Sequence, residues 1–137
     1  MPPATAAPYN LDMRRLALVL LLPAALVSAA VAGGALDGRT FDVTLRKAGD
    51  ERTVTDRIVF VGGMLDSKAG HDHGFPKAAY SSTAGGGRIR FAARSASVTG
   101  GTMEWTGEVR RGRIEGTVDW KTEGSDARWR MTGTIVE

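Results

Sequence analysis

The last third of the chain, residues 101–137, alternates apolar and polar side chains through three consecutive segments. Such alternation is typical of half-buried β-strands, because successive side chains point to opposite faces of a sheet. The inward positions of the three segments are Met103, Trp105, Gly107 and Val109, then Ile114, Gly116, Val118 and Trp120, then Ala127, Trp129, Met131, Gly133 and Ile135. Three strands that share one apolar face predict an antiparallel meander, and the rest of the chain is expected to extend that sheet.

Two turn signals set the predicted pairing of these strands. Arg111-Gly112 is a two-residue loop in which Gly takes positive φ at little cost, and it places Gly107 opposite Gly116. A four-residue loop over 123–126 would place Gly116 opposite Gly133. The three glycines would then form one row, where inward glycines let a sheet bend sharply or leave room for a ligand.

The same loops predict two further pairs between the last two strands. On the inner face Trp120 would lie opposite Trp129. On the outer face Asp119 would lie opposite Arg130, and opposite charges there would be favourable.

The middle of the chain continues the strand pattern. Five further segments alternate or are short apolar runs between turn residues, namely 39–46, 54–61, 64–67, 77–83 and 88–96. Eight strands joined mostly by short loops predict an all-β fold, an antiparallel up-and-down barrel of calycin-like shape, with a two-sheet sandwich as the alternative. The segment 68–76 is the least regular, and no stretch after residue 35 has convincing helical periodicity.

The N-terminus has the pattern of a secretory signal peptide. Arg14-Arg15 precedes an apolar run over 16–27, and Ala30-Val31-Ala32 matches an A-x-A cleavage site. We expect a signal peptide over 1–32, with Met13 as an alternative start, and one barrel domain over 33–137. The mature protein would be periplasmic or secreted and not stably inserted in a membrane; a single membrane anchor is the alternative.

Composition narrows the function classes. The formal net charge of +3 is too balanced to indicate a nucleic-acid partner. The chain has no cysteine, so an exported domain must rely on its core without a disulfide. No nucleophile motif or inward carboxylate pair is present, so we expect neither enzymatic activity nor a cofactor.

Aromatic side chains on the inner face form the candidate ligand pocket. The candidate residues are Trp105, Trp120, Trp129, Phe91 and Tyr80, with the space left by Gly107, Gly116 and Gly133. The alternative is that these aromatic rings simply fill a small core. Outward arginines at 88, 90, 94, 128 and 130 are expected to be a solvated exterior, with a basic patch for an anionic partner as the alternative.

His71 and His73 are the candidate metal ligands. In an extended segment the two imidazoles would fall on one side, with Asp66 or Asp72 supplying an oxygen. These are the two histidines of the chain, and no thiolate accompanies them. A solvated loop is the alternative interpretation.

Several short elements resemble a group of small exported bacterial proteins that carries no established activity. They are Leu36-Asp37-Gly38-Arg39-Thr40-Phe41, Asp56-x-Ile58-x-Phe60-x-x-Gly63 with Ser67, Gly74-Phe75, Tyr80, Gly101-Thr102-Met103-x-Trp105-x-Gly107 and Ile114-Glu115-Gly116-Thr117-x-x-Trp120. The resemblance spans nearly the whole predicted mature chain. That group commonly has a Cys where this chain has Gly70 or His71, so no thiol chemistry is carried over.

A looser set of elements is similar to the avidins. Trp105-Thr106-Gly107-Glu108, Trp120 and Trp129-x-x-x-Gly133 carry it. The similarity implies a barrel that binds a ligand against tryptophans, but the polar set that holds biotin has no counterpart in the N-terminal half. The sequence therefore predicts a non-enzymatic barrel that binds a small apolar or amphipathic ligand. The alternative is a protein-interaction module, an inhibitor or envelope partner, that acts through the loop 66–80.

Overall fold

The computed structural model of the protein describes residues 34–136. It contains eight strands and one short helix, which are β1 (Thr40–Lys47), β2 (Thr53–Val61), β3 (Met64–Ser67), α1 (Lys68–Asp72), β4 (Ala78–Gly85), β5 (Arg88–Ala96), β6 (Thr102–Arg110), β7 (Arg113–Thr122) and β8 (Ser125–Ile135). The predicted signal peptide over 1–32 and the alternative start at Met13 lie outside the described residues.

The strands form one closed antiparallel barrel in sequence order. The last strand returns to the first, and β8 pairs with β1 from Phe41–Ile135 to Lys47–Trp129. Closure satisfies the backbone groups that an open sheet would leave at its edges. The predicted eight-stranded up-and-down barrel is confirmed, and the sandwich alternative is wrong.

Tight turns join several of these strands. Gly62-Gly63, Gly86-Gly87 and Arg111-Gly112 each have positive φ at both residues. This conformation matches the twist of the flanking strands in a two-residue hairpin, and it favours glycine. Arg111 adopts it with φ 50° and is the one non-glycine residue with positive φ in the described part of the chain.

The pairing of β6 with β7 is as the sequence predicted. Trp105 lies opposite Val118, and Gly107 lies opposite Gly116. The two-residue loop at Arg111-Gly112 fixes this register, because a shift by one residue would turn every inward side chain outward.

The predicted pairing of β7 with β8 is wrong by two residues. Thr122 pairs with Ser125, so the loop is the two residues Glu123-Gly124 and not the four residues 123–126. Consequently Trp120 lies opposite Ala127, not Trp129, and Gly133 lies opposite Ile114. The inward and outward faces are unchanged, because a shift of two residues preserves the alternation.

The outer face of the same hairpin carries the second consequence. Asp119 lies opposite Arg128, not Arg130. Arg128 Nε and Nη2 donate to the two carboxylate oxygens of Asp119 at 2.7 and 3.2 Å. This hydrogen-bonded guanidinium lowers the pKa of the Asp119 carboxyl.

Two of the three inward glycines, Gly107 and Gly116, lie in one row as predicted, whereas Gly133 on β8 is displaced from that row by two residues. A Cβ at Gly116 would clash with the carbonyl oxygen of Thr106, and one at Gly133 would clash with that of Asp42. A Cβ at Gly107 would lie 2.5 Å from the Glu115 oxygen. The neighbouring strand is therefore too close for any side chain, as expected where a barrel wall bends sharply.

The segment that the sequence left irregular contains the helix α1. Ser67 is its N-cap, and the Ser67 Oγ accepts a hydrogen bond from the Gly70 N–H. At the other end, Gly74 has φ 83°, its N–H bonds to the His71 oxygen, and the Phe75 N–H bonds to the Gly70 oxygen. These two bonds form a Schellman motif, which ends the helix and turns the chain back towards β4.

The helix lies at one end of the barrel, here called the upper end, with the loops 48–52, 97–101 and 123–124. The pairing between β3 and β4 below α1 is short and consists of Met64–Ala79 and Leu65–Ala78 alone. The other end, here called the lower end, holds residues 34–39 and the three turns with positive φ. The two halves of the interior differ in how completely side chains fill them.

Candidate functional site: a tryptophan-lined pocket under α1

Aromatic rings fill the lower half of the barrel interior. The Phe60 ring lies at the centre of the cluster, with its centroid 4.9 Å from Tyr80, 5.3 Å from Phe91 and 6.0 Å from Phe41, all edge-on. The Phe91 ring also covers Gly107, where an added Cβ would lie 2.9 Å from it. This half of the barrel is therefore a packed core.

A cavity of about 60 Å³ lies in the upper half, under α1. Its walls are mostly apolar, with three polar side chains, one from β2, one from β3 and the imidazole at the end of α1. The lining residues are Leu45, Val54, Asp56, Ser67, Ala69, Gly70, His73, Met103, Trp105, Val118, Trp120 and Trp129. Strands β1, β2, β3, β6, β7 and β8 all contribute, so the pocket exists because the barrel is closed.

All three tryptophans of the chain line this pocket. Trp105 on β6 is fully buried at 2% exposure, whereas Trp120 and Trp129 near the upper end are half-buried. Val118 lies between Trp105 and Trp129, because it pairs with Trp105 on β6 and with Trp129 on β8. Apolar walls with a few placed polar groups are typical of small-molecule sites.

The other candidate pocket residues have different positions. Tyr80 and Phe91 belong to the filled lower half and do not border the cavity. At Gly107, Gly116 and Gly133, neighbouring strands or side chains take up the space that a ligand would need.

A buried carboxylate fixes the wall beneath α1. Asp56 is 8% exposed, and its Oδ2 accepts a 2.6 Å hydrogen bond from the Ser67 hydroxyl. Its Oδ1 accepts from the backbone N–H groups of Ala69 at 2.8 Å and Arg57 at 2.7 Å. A buried polar group needs such partners, because an unpaired one costs about 1–3 kcal/mol. The network joins β2, β3 and the first turn of α1.

The segment after α1 is held down by aromatic contacts. Phe75 is 2% exposed, and its ring lies edge-on to Trp120 with centroids 6.2 Å apart. The His73 ring lies 4.6 Å from the same indole. The carbonyl oxygen of Pro76 accepts a hydrogen bond of 2.9 Å from the Ser95 hydroxyl. The stretch 66–80 is therefore attached to the barrel along its length.

The two histidines do not lie in an extended segment, so that premise of the metal hypothesis is wrong. His71 is in α1 and its Nε2 contacts the Asp66 carboxylate, whereas His73 caps the helix and contacts Trp120. Residues 34–136 contain no group of three or more histidine, aspartate or glutamate side chains arranged to hold a metal ion.

Tyr80 closes the lower end of the barrel. Its hydroxyl donates to the Asp37 carboxylate at 2.7 Å and accepts from the Leu36 N–H at 3.0 Å. The Asp37 carboxylate also accepts from the Gly63 N–H. Burial, with the hydrogen bond to Asp37, raises the pKa of the Tyr80 phenol. The N-terminal turn is thus fixed against β4, opposite the pocket.

Sequence reasoning missed the Asp56–Ser67 pair, although signals for it were present. Asp56 has the inward parity of Ile58 and Phe60, and an inward carboxylate needs buried donors. Ser67 and Gly74 frame a helix of one turn, as an N-cap residue and a C-terminal glycine do. Neither signal indicates that the Asp56 carboxylate would accept a hydrogen bond from the first turn of that helix.

Three of the five outward arginines form an ion pair with an acidic neighbour. Arg88 lies 3.8 Å from Glu108, Arg94 lies 3.6 Å from Glu104, and Arg128 pairs with Asp119. Exposed pairs of this kind contribute little to stability.

Comparisons of the chain with models of protein families, with curated proteins and with solved structures gave no match. Within residues 34–136, no helix combines the length and apolar character that crossing a bilayer requires.

Proposed function

We propose that this protein is an exported, non-enzymatic barrel that binds a small apolar or amphipathic ligand in the pocket under α1. The observation that carries the proposal is the convergence of Trp105, Trp120 and Trp129 on one apolar cavity, while the opposite half of the interior is filled. Large aromatic surfaces around a cavity provide most of the binding energy in small-molecule sites.

The size of the cavity restricts the ligand. A volume of about 60 Å³ exceeds what a single water needs, roughly 10–15 Å³, but is smaller than the roughly 150 Å³ of an engineered cavity that binds benzene. The ligand is therefore expected to insert one compact group and to leave the rest of the molecule at the mouth, beside Trp120 and Trp129.

One polar group favours an amphipathic ligand. Trp120 lines the pocket, and its Nε1–H is buried without a hydrogen-bond acceptor among the described residues. An ether, hydroxyl or carbonyl oxygen on the ligand would relieve the cost of that unpaired donor.

Two of the three polar residues of the pocket, Asp56 and Ser67, support binding over catalysis. Both oxygens of Asp56 are occupied by hydrogen-bond donors, and the Ser67 hydroxyl both donates to Asp56 and accepts from Gly70. Neither is free to take a proton from a substrate or to attack one. The alternative, a protein-interaction module acting through 66–80, is less favoured because that segment is tied to the barrel.

The test is a fluorescence titration of the full chain with compact alcohols, esters and amines. Because all three tryptophans line the pocket, a bound ligand is expected to change the intrinsic emission. Ala69→Leu would fill the pocket from α1 and is expected to weaken binding at least about tenfold. Ala79→Leu, the same change at an exposed site on β4, is the matched control.

Native mass spectrometry of the protein from a periplasmic preparation is the second measurement. A co-purified small molecule that is lost in Ala69→Leu and kept in Ala79→Leu would support the proposal. Equal binding by both variants would contradict it, and a co-purified protein that survives Ala69→Leu would favour the alternative.

A further inference from the structure

The pocket contains a negative charge that no cationic side chain neutralises. Asp56 accepts three hydrogen bonds, all from neutral donors, which is the pattern of an ionised carboxylate. The nearest guanidinium in sequence, that of Arg57, points outward and binds Asp42 at 2.7 and 3.1 Å. None of the ion pairs found within residues 34–136 includes Asp56. A buried charge without a counter-charge is costly, so a cation nearby would be favourable.

Three indole rings line the same cavity as this carboxylate. The face of an indole is electron-rich and attracts a cation within about 6 Å of the ring centroid, and tryptophan is the best of the aromatic residues for this purpose. The attraction strengthens when the cation is desolvated, as in an apolar pocket. Cages of aromatic rings are a known means of holding methylated ammonium groups.

From these two features we infer that the ligand of the pocket is a compact organic cation, a quaternary or fully methylated ammonium group. The inference rests on the proposed function and specifies its ligand class. The cavity of about 60 Å³ has room for part of this group: its methyl groups would enter between the apolar walls of Leu45, Val54, Met103 and Val118, and the rest of the group would stay at the mouth beside Trp120 and Trp129. The carboxylate and the indoles suit the positive charge.

The hydrogen bonding of Asp56 separates this class from other cations. A primary ammonium or guanidinium has three or more N–H donors that need acceptors, whereas Asp56 already accepts from Ser67, Ala69 and Arg57 and so has about one of its roughly four acceptor positions left. A quaternary ammonium has no N–H and loses nothing. An anionic ligand would be repelled by Asp56, and a neutral one would gain only the apolar contact.

The test compares choline with 3,3-dimethyl-1-butanol, which has the same shape and hydroxyl group but no charge. Both are titrated into the full chain and followed by tryptophan emission and calorimetry. Choline is expected to bind at least about tenfold more tightly than the alcohol. Tetramethylammonium is expected to compete with choline, and ammonium is not.

Two variants locate the preference. Asp56→Asn keeps the shape of the side chain and removes its charge, so it should weaken choline binding about tenfold more than it weakens binding of the alcohol. Because Asp56 also caps α1, a second variant away from the helix is needed. Trp129→Leu removes a half-buried indole on β8, and it should also reduce the ratio of the affinity for choline to the affinity for the alcohol. Circular dichroism checks that each variant remains folded.

The outcomes are distinguishable. If choline and the alcohol bind equally, the cation inference is wrong and the proposed pocket stands. If neither binds while the protein is folded, both fail. Phosphatidylcholine vesicles distinguish the source of the group: co-sedimentation that free choline displaces assigns a lipid headgroup, and binding of free choline alone assigns a soluble ligand.

Discussion

The Ser67 hydroxyl donates a 2.6 Å hydrogen bond to the Asp56 carboxylate and accepts a 2.9 Å hydrogen bond from the Gly70 N–H. One hydroxyl thus connects a carboxylate on β2 with the first turn of α1. The helix has five residues, too few to be stable by itself. Its position over the pocket therefore depends on this connection and on the buried Phe75 ring.

We expect Ser67→Ala to destabilise the protein by about 1–3 kcal/mol, because it leaves an oxygen of Asp56 and the Gly70 N–H without their partner. Ser81→Ala, at an exposed position on β4, is the control and should change stability by less than about 0.5 kcal/mol. Urea denaturation measures both. A loss of equal size in the two variants would mean that the hydroxyl network carries no stability.

The phenol of Tyr80 predicts a specific response to alkaline pH. Its pKa is raised in the folded state, so the folded protein holds the proton at a pH where the unfolded chain, with a tyrosine pKa near 10, releases it. Stability from this group is complete below about pH 10 and is lost as pH rises from there through the folded-state pKa. The free energy of unfolding, measured between about pH 8 and 11, should therefore fall less steeply with rising pH for Tyr80→Phe than for the natural protein.

Tyr80→Phe should also be less stable at neutral pH by about 1–2 kcal/mol, since the hydroxyl no longer binds Asp37 and the Leu36 N–H. Identical pH slopes for the two proteins would show that Tyr80 is not the group responsible. Other alkaline groups titrate in both proteins, so only the difference between the two curves is interpreted.

Glycine at the bends of the barrel is required by space. We expect Gly116→Ala to cost about 1–3 kcal/mol or more, because the added methyl would overlap the Thr106 carbonyl and lie 2.7 Å from the Gly107 Cα. Gly85→Ala is the matched control: a Cβ there meets nothing within 4 Å and φ is not positive. It should be neutral or stabilise by up to about 1 kcal/mol. Thermal unfolding of the two variants tests whether backbone approach sets the difference.

The register of β8 can be checked through the Asp119 carboxyl. Arg128 lowers its pKa by hydrogen bonding, so Arg128→Ala should raise that pKa towards its ordinary value while Arg130→Ala should leave it unchanged. The stabilising contribution of Asp119 is present above the unfolded pKa of about 3.9 and is lost as pH falls through the lower folded-state pKa. NMR titration of the carboxyl measures the Asp119 pKa. A rise in Arg130→Ala but not in Arg128→Ala would contradict the observed register and support the predicted one, in which Trp120 lies opposite Trp129.

The difference between the predicted and observed registers has a local cause. Around Arg111-Gly112 the strands reach directly to the turn, and alternation marks the boundary clearly. Around Glu123-Gly124 the flanking Thr122 and Ser125 are polar and resemble loop residues, yet they pair with each other. Polarity at a strand end does not reveal whether a backbone hydrogen bond forms there, so the loop was predicted two residues too long.

The helix α1 was missed for a different reason. Hydrophobic periodicity needs more than one turn to be visible, and α1 has only five residues. Its ends are encoded by Ser67 and Gly74, but its position depends on Asp56, eleven residues before Ser67. Asp56 lies on β2, whereas α1 follows β3, so this capping contact joins separate elements and is a tertiary relationship.

The sequence by itself determined which side chains face inward, because alternation is a local property of the chain, whereas the pairing of β8 with β1 in the structure decided between a closed barrel and a sandwich. Tertiary structure decided where the interior is filled and where it is open. Phe60, Tyr80 and Phe91 meet in the lower half, whereas Trp105, Trp120 and Trp129 border a cavity in the upper half. The volume left inside a barrel depends on side chains from all the strands together with the bends of the wall, and no single stretch of sequence contains that sum.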